Sequence, residues 1–271
     1  GRVRRLRPPH WGDTIPMGLF GELYQRDKSL ALDMLRLQID LQSSQLNRLG
    51  INVNCSPVLD IRYPKAHDIV GDRGLSDEIS TIIALGNEVV ERFSKNGIFP
   101  VIKHMPGHGR AMADSHLELP VVDLPKDILE ISDFKPFIGL RNAPFAMTAH
   151  ILFPQLDSAN CATMSPHIIK QIIRKDIGFQ GLLMTDDLSM KALSGSFAER
   201  SKSCLDAGCD LILHCNGDFD EMTEVSLSLK NMDKDSLKRW DTAKSLVSGD
   251  KFTFTRYEEE TAANSLKSLI E

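Results

Sequence analysis

Phe99-Pro100-Val101-Ile102-Lys103-His104-Met105-Pro106-Gly107-His108-Gly109, followed closely by Asp114-Ser115-His116, decides how the chain is read. The first four residues are a short apolar run that reads as a buried strand. Two glycines and a proline then keep the backbone out of helix or strand. Lys103 and His104 therefore stand at a strand's C-terminal end, and a loop carries Asp114 and His116. In α/β proteins that edge of the sheet is where ligands bind.

Outward from this segment, strands and helices alternate. Leu32, Leu35, Ile39 and Leu46 give Leu30 to Leu49 helical spacing, and Gly50 stops it. Ile51 to Asp60 reads as a strand with an acid at its tip. Asp77 to Asn96 is a helix closed by Gly97, and Asp127 to Arg141 is a helix that Pro136 kinks or breaks. Pro144 to His150 is a strand. Ser165-Pro166 caps and opens a helix that runs to Gly178. Gly181 to Thr185 is a strand delivering Asp186-Asp187, Phe197 to Ala207 is a helix, and Asp210 to His214 is another strand.

Five strands separated by helices, with no hairpin signal, predict a parallel sheet. Asp60, Lys103, His150, Asp186 and His214 stand at the strands' C-terminal ends, which predicts an α/β fold of the TIM (β/α)8 barrel type. A doubly wound sheet fits the same pattern. The chain reads as a single domain over 1–271, with a mostly helical segment from about residue 218.

The 271 residues, 25% charged and 42% hydrophobic, suit a globular domain. A net charge of −5 and the lack of basic runs argue against nucleic acid, and no apolar run suits a membrane. Five cysteines without a C-x-x-C pair predict thiols rather than disulfides, with Cys55, Cys204 and Cys215 buried, and thus a reducing cytoplasm. No phosphate-binding glycine motif is present.

Asp186, at the rim, is the candidate reacting carboxylate, whereas Asp187 is expected to cap the next segment. Asp114 lies two residues from His116, close enough to fix the imidazole tautomer and raise its basicity. Lys103, His104 and Arg73 are candidates for holding an anion or hydroxyls, and His108 for stabilising the loop. A metal-dependent hydrolase is the competing enzyme reading. It needs ligand pairs on rigid strands, whereas His104, His108 and His116 lie along a glycine-rich loop.

At these residues the chain resembles the β-N-acetylhexosaminidases of glycoside hydrolase family 3, the bacterial peptidoglycan-recycling type. The resemblance rests on Lys103 to Gly109, Asp114 to His116, and Asp186-Asp187-Leu188-Ser189-Met190. Ser56 to Asp60, Gly71-Asp72-Arg73, Ala149-His150 and Asp206 to Asp210 extend it, and it runs from Gly1 to about Cys215. It implies a retaining enzyme that needs no cofactor or metal and releases N-acetylglucosamine from 1,6-anhydromuramic muropeptides in the cytoplasm. Asp186 would be the nucleophile, His116 the acid/base and Asp114 its orienting partner. Lys103, His104, Arg73 and Arg5 would hold the sugar.

The family's segment equivalent to Gly1-Arg2-Val3 follows a strand with a substrate-binding aspartate. The barrel is therefore expected to be incomplete at the N-terminus, with its first two β/α units missing. The protein is expected to act as a monomer on a small carbohydrate. An inactive barrel kept as a binding or structural remnant is the alternative from another class.

Overall fold

The computed structural model describes residues 6–64, 66–247 and 249–269. Two helices, α1 (Met17–Arg26) and α2 (Lys28–Arg48), lead into strand β1 (Val53–Asn54). Then follow α3 (Ile79–Lys95), β2 (Phe99–Met105), α4 (Lys126–Ile131), α5 (Lys135–Gly139) and β3 (Phe145–Thr148). A wide-turned π-helix (Ile168–Asp176) connects to β4 (Leu182–Asp187), and α6 (Phe197–Ala207) to β5 (Leu211–Leu213). The chain closes with α7 (Phe219–Ser228), α8 (Lys234–Leu246) and α9 (Arg256–Lys267).

The strands form one sheet in the order β1-β2-β3-β4-β5, and each pairs in parallel with its neighbour. The parallel sheet expected from the alternation is therefore present. Among the described residues it has five strands, so it is an open part of a barrel.

Alternate strand residues serve two cores, as the period of two requires. Ile102, Ala146 and Leu183 join the main core, where α3 contributes Ile82, Leu85, Val89 and Phe93 at helical spacing. Phe99, Val101, Phe145, Met147, Leu182 and Met184 line the opposite face. Trp240 of α8 covers that face, stacking on Phe99 with ring centroids 5.6 Å apart, and Ala243 is buried beside it. α8 thus covers one end of this face of the sheet. Lys103 follows Val101 by two residues, and Asp186 follows Met184 by two. Both continue the inner series beyond the apolar layers, at the opposite end.

Local signals explain most element boundaries. Ser196 and Glu199 form a reciprocal capping box at the start of α6, and Gly208 ends the helix at φ 117°. The Asp127–Arg141 region is two short helices rather than one, because the chain breaks before Pro136. Two expectations need correction. The first strand is regular only at Val53–Asn54, since Pro57 lacks an N–H for a continuous ladder, and beyond it Ser56, Pro57 and Leu59 keep single backbone hydrogen bonds to β2. Cys215 is exposed, because it falls in the loop after β5 rather than on the strand, and Cys55 is half-buried. α1 carried no expectation. It packs on the 74–76 segment through Gly21, where a Cβ would come within 1.8 Å of the Leu75 carbonyl oxygen.

Candidate functional site

Asp60, one residue after the Leu59 that pairs with β2, is almost wholly buried. It accepts the His104 ring Nδ1–H at 2.6 Å, the His108 backbone N–H at 2.6 Å and the His104 backbone N–H at 3.2 Å. Burial alone would raise this carboxyl. The opposing effects of the His104 charge and these hydrogen bonds hold it below the usual carboxylate range. Asp60 therefore fixes His104 with Nδ1 protonated and Nε2 turned away.

His104 Nε2 faces Oδ2 of Asp186 at 3.8 Å. Asp186 Oδ1 accepts the Asp187 backbone N–H at 2.9 Å. Burial would raise the Asp186 carboxyl, but the charges of His104, His150 and Lys103 and the Asp187 N–H together lower it. The result is a buried carboxylate held ionised. One oxygen is anchored, and the other faces an imidazole across a gap wider than a hydrogen bond.

His150, two residues beyond the end of β3, lies near the same carboxylate. Its Nε2–H donates to the Asp187 carbonyl oxygen at 3.1 Å, and its Nδ1 is 2.8 Å from the Thr163 hydroxyl. Burial lowers its pKa and favours the neutral ring. Asp187 itself accepts Ser189 N–H at 3.0 Å, Ser189 Oγ–H at 2.7 Å and Cys215 N–H at 3.0 Å. It ties the β4 and β5 loops together, as expected for the capping member of the pair.

Asp114 and His116 form a second unit. Asp114 Oδ1 accepts the His116 backbone N–H at 2.9 Å and its Nδ1–H at 2.7 Å. Burial opposes, but the hydrogen bonds from His116 outweigh it and keep Asp114 ionised. The loop reaches the residues after β4, because Ala192 N–H donates to the Ser115 carbonyl oxygen at 3.3 Å. Gly109 lets it cross the loop after β1, since a Cβ there would lie 2.1 Å from the Ile61 carbonyl oxygen.

Lys103 and Arg73 line one cavity of about 300 Å³ together with Asn54, Cys55 and Gln42. Arg73 is buried, its Nε–H donating to the Ile69 carbonyl oxygen at 2.9 Å. Arg5 lies outside the described residues. His214 pairs with Glu221 at 2.7 Å, so it serves α7 rather than the carboxylate centre. Among the described residues, no group of three His, Cys, Asp or Glu side chains is arranged to hold a metal ion. Among them also, no helix is long and apolar enough to cross a membrane.

A parallel α/β sheet thus carries a buried carboxylate at the C-terminal end of β4. The chain belongs to glycosyl hydrolase family 3: the model of that family's N terminal domain matches residues 28–243. A β-hexosaminidase of Glaesserella parasuis is 34% identical over 238 residues, covering 85% of this chain and 66% of that protein. One from Aromatoleum aromaticum is 34% identical over 221 residues, 80% of this chain and 61% of its own. The chain thus spans slightly less than two thirds of these curated relatives. The crystal structure of NagZ from Neisseria gonorrhoeae in complex with N-trifluoroacetyl-D-glucosamine superposes with a TM-score of 0.84 at 28% identity. The match covers all of this chain and 79% of that one.

Proposed function

We propose that this chain is the barrel of a retaining β-N-acetylglucosaminidase. It releases terminal β-linked N-acetylglucosamine from GlcNAc-1,6-anhydroMurNAc muropeptides during cell-wall recycling in the cytoplasm. The buried, ionised Asp186 carboxylate, with Oδ2 facing His104 rather than a proton, carries this reading. The β-hexosaminidase relatives and the sugar-bound NagZ support the substrate class.

Asp186 Oδ2 attacks the anomeric carbon as the glycosidic C–O bond breaks, and protonated His116 gives its Nε2 proton to the leaving oxygen. In the second half, neutral His116 takes a proton from water. That water attacks the same carbon and releases Asp186. Asp114 binds Nδ1–H throughout, so only Nε2 exchanges protons, and its charge stabilises the imidazolium that is present before the first step and is regenerated by the second. A histidine here takes the place of the second carboxylate usual in glycosidases. Lys103, His104 and Arg73 hold the sugar hydroxyls and N-acetyl group. Arg5 is assigned the same role from the sequence pattern. The domain over 1–271 acts as a monomer.

Hydrolysis of an aryl β-N-acetylglucosaminide, followed by NMR of the first-formed sugar, tests this. The β-anomer is expected, with rates unaffected by chelator. Absence of turnover by a folded, monodisperse sample favours the remnant reading. Chelator sensitivity favours a metal-dependent hydrolase.

A further inference from the structure

The loop bearing Asp114 and His116 is weakly buried. Met112 and Leu117 are 67% and 66% exposed, and only Ala111 and Ser115 between Arg110 and Glu118 are buried. Apolar burial therefore cannot be what holds this loop in register. Ser115, between the two proposed proton-handling residues, is 2% exposed and makes polar contacts in two directions. Its Oγ lies 3.3 Å from Nε2 of His108 and 3.9 Å from Sδ of Met190, and its carbonyl accepts Ala192 N–H.

His108 is itself fixed. Its backbone N–H binds Asp60, and its ring packs against that of His104 with centroids 5.3 Å apart. Burial, then the nearby His104 charge, pushes its pKa down to about 4, so the ring is neutral near pH 7. Among the described residues no hydrogen-bond partner reaches Nδ1. An unpaired buried acceptor costs less than an unpaired N–H, so the proton belongs on Nε2. Nε2–H then donates to Ser115 Oγ, whose own proton points to Met190 Sδ.

We infer that Ser115 is a positioning residue for the acid/base pair. Its bonds to His108 and Ala192 latch the exposed loop to the carboxylate centre, so that His116 Nε2 is held at the leaving oxygen. This rests on the acid/base reading of His116. The latch joins the loops that follow β2 and β4 through one hydroxyl and one carbonyl, and reaches the loop after β1 through the bond of His108 to Asp60.

The test is Ser115→Ala, assayed on two N-acetylglucosaminides. One has a dinitrophenol leaving group that needs no proton, and the other a poor leaving group such as an alkyl alcohol. The latch predicts that kcat/KM falls about tenfold on the poor substrate, while kcat/KM of the dinitrophenyl substrate, whose first step needs no acid, stays within about twofold. Amide exchange at His116, Leu117 and Glu118 should quicken by about tenfold, because opening of the loop is no longer resisted. Equal losses of kcat/KM on both substrates, or unchanged kcat/KM and exchange, overturn the inference. His116→Ala is run alongside. If it shows leaving-group dependence and Ser115→Ala does not, the latch alone fails. If His116→Ala shows none, the acid/base reading fails and the latch falls with it.

Discussion

Nδ1 of His116 lies 2.7 Å from Oδ1 of Asp114, and that oxygen also accepts the His116 backbone N–H at 2.9 Å. One carboxylate oxygen therefore fixes both the tautomer and the ring direction. Asp114→Asn keeps the shape but loses the charge. On a substrate with a poor leaving group we expect kcat to fall about 10²-fold, the usual size of general acid–base help. The His116 side chain is 41% exposed, so Tm should change little. Steady-state kinetics and a melting curve check both parts.

The adjacent acids Asp186 and Asp187 should fail in opposite ways. Asp186→Asn removes the attacking oxygen, so we expect turnover to fall by about 10³-fold or more with an unchanged Tm. Asp187→Ala instead releases two N–H groups and a hydroxyl that bind the β4 and β5 loops. It should cost about 1–3 kcal/mol of stability and reduce turnover only partly. Denaturant melts of the two variants beside their kcat values distinguish the roles.

His108 makes stability depend on pH. An unfolded histidine titrates near 6.5, whereas folded His108 titrates at about 4. Between those values the unfolded chain binds more protons. Its contribution is therefore complete above about pH 6.5 and is lost as pH falls toward 4. The window is worth about 3 kcal/mol by linkage, and neutral, buried His150 acts in the same direction. Urea melts at pH 7 and pH 4.5 should give a flatter pH dependence in His108→Gln than in the unchanged protein.

Asp210 is the structural acid of the fold. Buried before β5, it accepts Arg174, Arg239, Ser236 and the Leu183 backbone N–H at 2.6–2.8 Å. It thereby joins the π-helix, β4 and α8. Asp210→Ala leaves two partly buried guanidinium groups without their carboxylate, and should cost about 3–5 kcal/mol. Thermal unfolding reads this directly. The site's local geometry should survive in the remaining folded fraction, since Asp210 precedes β5 at the end opposite Asp186.

Much of this arrangement was legible in the chain because strong local signals agree. β2, β3, β4 and β5 are apolar runs bounded by turn residues, and α6 carries its capping box and Gly208 stop in the sequence. The pairing of Asp114 with His116 followed from spacing alone. What sequence could not give was partnership across long separations. Asp60 lies 44 residues from His104, and Ser115 lies 75 from Met190. Asp60 at a strand tip was the available signal for the first. A serine between two polar residues carries none for the second. α1 carried too short an apolar stripe to stand out, because its buried face interleaves Met17 and Phe20 with Gly18 and Gly21, which permit close approach. The role of α8 was hidden for a similar reason: Trp240 and Ala243 meet a sheet face assembled from distant strands.

The central claim is a covalent bond from Asp186 to the sugar, and trapping it is the most direct test. Incubation with a 5-fluoro N-acetylglucosaminyl fluoride slows the second step, so that the intermediate accumulates for mass spectrometry. A chain heavier by one fluorinated sugar is expected, with the label on Asp186 in the fragment containing Leu182 to Met190. A label on any other residue, or turnover with inversion and no label, would contradict it.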